Sequence, residues 1–106
     1  MPALKLNTKD IKIALTQLDC WSFEPQDLCI YKEWYFNNFK AVIIFLNQVF
    51  ELADVQDHHP EVFTTHTYIK IRLRTHDSGG ITQKDFTLAH SIDRLIASSF
   101  EDYIYN

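Results

Sequence analysis

The chain has 106 residues, of which 46% are hydrophobic and 14% aromatic, and its formal net charge is −4 at pH 7. This length suits one small domain with a real core, over residues 1–106, and so many aromatic residues exclude a disordered chain. The acidic balance, with 10 Lys and Arg residues spread rather than clustered, argues against nucleic acid as the main partner.

The sequence also indicates where the protein resides. No apolar run is long enough to cross a bilayer, and residues 1–6 lack the apolar core of a signal peptide. We therefore expect a cytoplasmic protein with no membrane association. Cys20 and Cys29 would then be reduced, and we expect both to be small buried residues, although they could also lie opposite each other across a hairpin.

The first part of the chain predicts a helix followed by two strands. Apolar residues at helical spacing after the cap candidate Asn7 predict a helix to about residue 18. A short strand at 21–23 and a turn precede residues 28–36, whose alternating apolar positions predict a second strand. Lys32 interrupts the inward face of that strand, which places it near an edge or a functional site.

A longer helix should follow, capped by Asn38. Its apolar stripe consists of Phe39, Val42, Phe45, Leu46, Val49, Phe50 and Ala53. Ile43 and Ile44 make the apolar surface wider than one sheet face needs, which predicts a second buried contact such as an oligomer interface. Pro60 cannot continue a helix and biases His59 toward extended geometry, so the helix should end at or before the pair His58-His59.

The remaining chain predicts one or two strands and a last helix. The predicted inward residues share one parity: Phe63, Thr65, Thr67, Ile69, Ile71, Leu73 and Thr75. The polar residues 64–67 allow a break into two strands. After the Gly79-Gly80 turn, Thr82 should cap the last helix, with Asp85 completing a capping box. Antiparallel strands mixed with helices in this order indicate an α+β fold with the helices packed on one face of the sheet.

Three of the 5 histidines, His58, His59 and His76, lie at two predicted bends. Imidazole has an unperturbed pKa near neutrality, so this clustering favours proton transfer or metal binding. A zinc or iron site could recruit carboxylates nearby in the sequence, but the spacing matches no closed metal motif. The third alternative is purely structural, with each histidine capping an element or lying in solvent; His66 could line a pocket or be exposed.

Both histidine segments belong to longer motifs. The motifs are Asp54, His58-His59-Pro60-Glu61, Thr75-His76, Gly79-Gly80 and Thr82-Gln83-Lys84-Asp85, with Trp21 and Phe36-Asn37-Asn38-Phe39 upstream. Together they cover nearly the whole chain, and the combination resembles the pterin-4a-carbinolamine dehydratases, also called 4a-hydroxytetrahydrobiopterin dehydratases. Two residues depart from the family pattern, since Asp54 replaces the usual Glu and His66 stands where an aromatic residue is common.

The resemblance implies a four-stranded antiparallel sheet with helices on one face, in the order α-β-β-α-β-β-α, and a homo-oligomer, either a dimer or a tetramer. It implies a lyase that removes water from 4a-hydroxytetrahydrobiopterin to give quinonoid dihydrobiopterin, with no metal or other cofactor. That product would be recycled for an aromatic amino acid hydroxylase. The alternative is a non-catalytic protein of the same fold that acts as a dimerisation or transcriptional cofactor.

The resemblance also assigns roles to residues. It implies that His58, His59 and His76 are catalytic through acid–base exchange. The residues expected to bind substrate are these histidines together with Asp57, Thr75 and Asp77. Asp54, Asp85 and Trp21 are expected to support the site.

Overall fold

The computed structural model describes residues 3–105. Its elements are α1 (Thr8–Leu15), β1 (Ser22–Glu24), β2 (Cys29–Tyr35), α2 (Phe39–Gln56), β3 (Glu61–Thr65), β4 (Tyr68–Leu73), a 3₁₀ turn (His76–Ser78), α3 (Gln83–Ser99) and a second 3₁₀ turn (Glu101–Tyr103). The α+β class and the order α-β-β-α-β-β-α are therefore confirmed. None of the helices described is both long enough and apolar enough to cross a membrane.

The four strands form one antiparallel sheet in the order β1-β2-β4-β3. Its inward residues alternate along β2 and β4, where Ile30, Trp34, Ile69, Ile71 and Leu73 are buried. The helices cover this face, with α2 and α3 in contact with each other. Their buried residues include Val42, Phe45, Val49, Phe86, Leu88 and Ile92. The core thus lies between the sheet and the helices, and β1 and β3 are the edge strands.

The predicted alternation of inward and outward residues is correct for β4 and wrong for β3. Only two residues, His66 and Thr67, separate the paired residues Thr65 and Tyr68. Across such a loop, odd-numbered residues of one strand pair with even-numbered residues of the other. Phe63 is consequently 61% exposed on the outer face, opposite Lys70. The predicted break at residues 64–67 is confirmed, and the turn places His66 at an exposed position with φ of 52°.

Lys32 does not lie on an edge strand, because β2 is flanked by β1 and β4. It is 7% exposed, and its Nζ lies 3.3 Å from Asp93 Oδ1 and 3.6 Å from Asp19 Oδ2. Trp21 Nε1 donates a hydrogen bond of 2.8 Å to the same Asp93 oxygen. The break in the apolar pattern of β2 therefore marks a partly buried ion pair that joins the sheet to α3.

Several element boundaries and exposures differ from the predictions. The first helix ends at Leu15, and i to i−3 hydrogen bonds tighten the turn that follows. The second strand begins at Cys29 because Leu28 has a φ of 50°. Both cysteines are free thiols; Cys29 is buried as predicted, whereas Cys20 is exposed. The boundary of α1 follows from hydrogen bonding that apolar spacing does not reveal.

The apolar surface of α2 is wider than the stripe that it buries, as predicted. Phe39 and Phe50 belong to the predicted stripe but are 53% and 49% exposed, because only the row containing Val42, Phe45 and Val49 faces the sheet. The complete set of exposed apolar residues on α2 is Phe39, Ile43, Ile44, Phe50 and Val55. We call this set the α2 apolar surface.

Candidate active site

The end of α2 delivers His58 to the interior. Asp57 closes the helix in the left-handed conformation, with φ of 50° and ψ of 46°. Its N–H donates to the carbonyl of Asp54, and the N–H of His58 donates to the carbonyl of Ala53. These are the two bonds of a Schellman motif, which reverses the chain and satisfies the last carbonyls of the helix. His58 is buried as a result, whereas His59 is exposed.

The end of β4 delivers the second histidine segment. The N–H of Thr75 donates to the carbonyl of Gly80 at 2.8 Å, which closes a short loop after the strand. Within this loop, His76 begins a 3₁₀ turn that ends at Ser78 and is followed by Gly79, where φ is 69°. Glycine adopts this left-handed conformation without steric cost. Thr75 is therefore buried at the strand end while His76 is exposed at the loop.

The start of α3 brings a carboxylate to the same place. Thr82 caps the helix, and its backbone N–H donates to Asp85 Oδ2 at 2.9 Å, so the predicted capping box is confirmed. Asp85 is completely buried. A buried carboxylate is costly unless its oxygens accept hydrogen bonds.

Asp85 meets that requirement by joining three segments of the chain. Its Oδ2 also accepts from Thr75 Oγ1 at 2.9 Å, and its Oδ1 lies 2.5 Å from His58 Nε2. A carboxylate can only accept, so His58 Nε2 carries the proton in this contact. In neutral His58, Nδ1 is then the lone-pair nitrogen.

Both histidine segments border one cavity of about 220 Å³. Its lining consists of Asp57, His58, His59, Arg74, Thr75, His76, Asp77 and Lys84. Every residue predicted to bind substrate is in this set. The structure thus brings together groups from the end of α2, the end of β4 and the start of α3.

Two of the predicted supporting residues lie elsewhere. Asp54 is exposed on α2 and does not line the cavity. Trp21 is buried and bonded to Asp93. Sequence reasoning missed Arg74 and Lys84, which do line the cavity. Arg74 immediately precedes the motif residue Thr75, and Lys84 is itself part of the motif, which is the signal that could have identified them.

Two other cavities are lined by residues of α2 and α3. A cavity of about 310 Å³ shares His58 and Lys84 with the first cavity and is otherwise lined by Gln56, Gln83 and Thr87. A larger groove of about 930 Å³ runs between α2 and α3 and contains no histidine. Within residues 3–105, no three His, Cys, Asp or Glu side chains are grouped so that they could hold a metal ion. The imidazoles of His58, His59 and His76 border the first cavity, and proton transfer is chemistry that such groups can perform.

The side chains whose pKa values are clearly shifted lie on the outer face of the sheet. A hydrogen bond to Glu33 raises the pKa of Tyr68 to about 12. Burial raises the pKa of the Cys29 thiol. The pKa of Arg72 is also raised, first by its interaction with Cys29 and further by the carboxylates of Asp27 and Glu61. None of these groups lines the cavity that contains the histidines.

The sequence of the chain is similar to those of known proteins. The chain matches the family Pterin 4 alpha carbinolamine dehydratase over residues 4–95. A relative from a Picosynechococcus species is 39% identical over 88% of this chain and 99% of its own. One from Aquifex aeolicus is 38% identical over 87% of this chain and 91% of its own. Both are provisionally named as pterin-4-alpha-carbinolamine dehydratases.

Solved structures show the same fold. A Brucella melitensis protein described as a transcriptional coactivator/pterin dehydratase superposes with a TM-score of 0.82 and 27% identity, covering 86% of this chain and 97% of its own. A pterin dehydratase-like protein, described as a RuBisCO assembly factor in the alpha-carboxysome, gives a TM-score of 0.65 at 21% identity over 76% of this chain and 94% of its own. On the family match and the curated relatives, the chain belongs to the pterin-4-alpha-carbinolamine dehydratase family.

Proposed function

We propose that the protein is a 4a-hydroxytetrahydrobiopterin dehydratase. The observation that carries this proposal is the single cavity bordered by His58, His59 and His76, with His58 held by the buried carboxylate of Asp85. Family membership gives the substrate class. In this reaction N5 of the pterin loses its proton, the hydroxyl at C4a leaves as water, and a double bond forms between C4a and N5.

The proposed mechanism uses imidazoles alone. His58 takes the N5 proton through Nδ1, because Asp85 holds the proton on Nε2 and stabilises the imidazolium that forms. His76, at the exposed end of the cavity, protonates the departing hydroxyl. His59 shapes the cavity or assists this transfer. Redox chemistry is not involved, since the substrate neither gains nor loses electrons overall, and no cofactor is required.

Asp57, Thr75 and Asp77 are proposed to hold the pterin ring. The ring presents N–H donors on its pyrimidine edge, and the carboxylates of Asp57 and Asp77 are exposed acceptors within the lining. The product would pass to a reductase and then to an aromatic amino acid hydroxylase.

The test is the rate at which the purified protein dehydrates the 4a-hydroxy intermediate in a coupled hydroxylase assay. We expect His58→Ala and His76→Ala each to lower kcat by about 10²–10⁴-fold, the usual contribution of a positioned acid or base. His90→Ala is the matched control, because His90 lies on α3 outside the cavity. Wild-type kcat in His58→Ala would contradict the proposal, and so would loss of activity in protein that is treated with a chelator and desalted before it is added to the assay.

A second candidate, a non-catalytic interaction protein, is favoured by the α2 apolar surface. Its members Phe39, Ile43 and Phe50 are 53%, 46% and 49% exposed. We propose that a second copy of the chain covers this surface in a dimer or tetramer. A pure interaction protein would keep this assembly or exchange it for a mixed complex with another protein. In that case His58→Ala would leave the assembly and the mixed complex unchanged.

A further inference from the structure

We propose that Arg74 and Lys84 form an anion-binding subsite, through which the cavity also accepts pterins with an acidic group on the C6 side chain. This inference rests on the proposed pterin site and extends its substrates beyond 4a-hydroxytetrahydrobiopterin, whose dihydroxypropyl side chain at C6 is uncharged. Both residues line the same cavity as the histidines. In a pterin, C6 is bonded to N5, the atom on which the proposed base acts, so a C6 substituent lies within reach of groups around the same cavity.

Within residues 3–105 neither Arg74 nor Lys84 forms a direct ion pair, although the carboxylates of Asp57 and Asp77 line the same cavity. Arg72, two residues earlier on β4, contrasts with Arg74 because its guanidinium lies 2.8 Å from Asp27 and 3.7 Å from Glu61. An unpaired arginine beside a ligand cavity is suited to bind a carboxylate or phosphate.

The Nε atom of Arg74 gives a second reason. It is buried and has no hydrogen-bond partner among the described residues; the same holds for Arg72 Nε, but that atom has a carboxylate oxygen of Glu61 3.7 Å away. Buried donors are normally paired, and an unpaired one costs free energy that a ligand oxygen can recover. An acidic substituent would supply such an oxygen while meeting the positive charge.

Other charged groups border the cavity as well. The carboxylates of Asp57 and Asp77 belong to its lining, together with the histidines. In the proposed mode, these carboxylates accept the N–H groups of the pyrimidine edge. Arg74 and Lys84 then remain available to donate hydrogen bonds to acceptor atoms of the ligand. The pterin ring is uncharged at neutral pH, so a preference for acidic ligands must arise from the substituent.

The experiment compares two oxidised pterins that differ in the charge at C6. Pterin-6-carboxylic acid is anionic and 6-hydroxymethylpterin is neutral, and binding of each is followed by the pterin fluorescence. We expect the wild-type protein to bind the acid roughly tenfold more tightly, the scale of one charge-assisted hydrogen bond. Added salt should reduce this preference by screening the charges. In Arg74→Gln/Lys84→Gln the two affinities should become equal.

Lys70→Gln is the matched control. Lys70 lies on the same outer face of β4, with its Nζ 4.8 Å from the ring centroid of Tyr31, and does not line the cavity. This variant should keep the tenfold preference, and thermal melting should show that all variants are folded. Equal wild-type binding of both pterins, or equal weakening of both in the double variant, overturns the subsite alone. If neither pterin binds the wild-type protein, the proposed pterin site itself fails.

Discussion

Asp85 shows how one residue can serve both folding and chemistry. Its carboxylate caps α3 through the N–H of Thr82 and, on its other oxygen, holds His58 from the end of α2. The spacing of Thr82 and Asp85 was enough to predict the cap. The contact with His58 spans 27 residues, and no local pattern indicates which distant side chain meets a buried carboxylate.

Replacing Asp85 with asparagine should destabilise the protein. The change removes the charge from three hydrogen bonds and places an amide donor where acceptors are needed. We expect the free energy of unfolding to fall by roughly 2–4 kcal/mol, as measured by urea denaturation. Asp77→Asn is the control, since Asp77 is exposed and its substitution should change stability by less than about 0.5 kcal/mol. Equal stability of the two variants would show that Asp85 does not bind the segments together.

At the scale of elements, sequence reasoning succeeded where local signals decide the structure. Apolar spacing located α2 and α3, and Pro60 correctly predicted that α2 ends before the histidine pair. It failed for β3, because the two-residue turn at His66 and Thr67 contains no glycine or asparagine to mark it. The alternation of inward and outward residues was therefore extended without a break across a point where the chain reverses direction.

Arg74 was missed for a related reason. The alternation of residues in the sequence assigns it to the face opposite the core, and such residues are normally solvated. The strand ends at Leu73, however, so the next residues border the cavity made by the loop and the two helix ends. Periodicity describes the interior of an element and does not describe what surrounds its end.

The left-handed residue at the end of α2 leads to a prediction at this scale. Asp57 has φ of 50° and ψ of 46°, a conformation open to glycine and asparagine but strained for β-branched residues. We expect Asp57→Gly and Asp57→Asn to change the free energy of unfolding by less than about 0.5 kcal/mol, and Asp57→Val to lower it by about 1–2 kcal/mol. Chemical denaturation provides the measurement.

Asp54→Val provides the comparison for Asp57→Val. Asp54 is also exposed but lies within the regular part of α2, where valine costs only its helix propensity. A loss of stability as large as that of Asp57→Val would mean that the left-handed conformation is not the cause. The Schellman motif would then contribute little to how His58 is placed.

At the scale of the whole molecule, the exposed apolar residues are unevenly distributed. On α2, Val55 is 85% exposed and four other large apolar residues are about half exposed, while the same helix also buries a full stripe. A helix that is apolar on more than one side normally has a second contact. The sequence showed that the apolar pattern of α2 is wide. It did not show how many copies of the chain meet at that surface, because the symmetry of an assembly leaves no visible pattern in a single sequence.

The proposed self-association can be tested by placing charges on the α2 apolar surface. Ile43 and Phe50 are seven residues apart, so they lie on one side of α2. If copies of the chain pack there, Ile43→Glu/Phe50→Glu should dissociate the assembly to monomers, because unpaired carboxylates would be buried in the contact. Light scattering coupled to size-exclusion chromatography measures the mass. Ile13→Glu, at a 57% exposed isoleucine of α1, should keep the wild-type mass, and an unchanged mass in the double variant would place the contact on another surface.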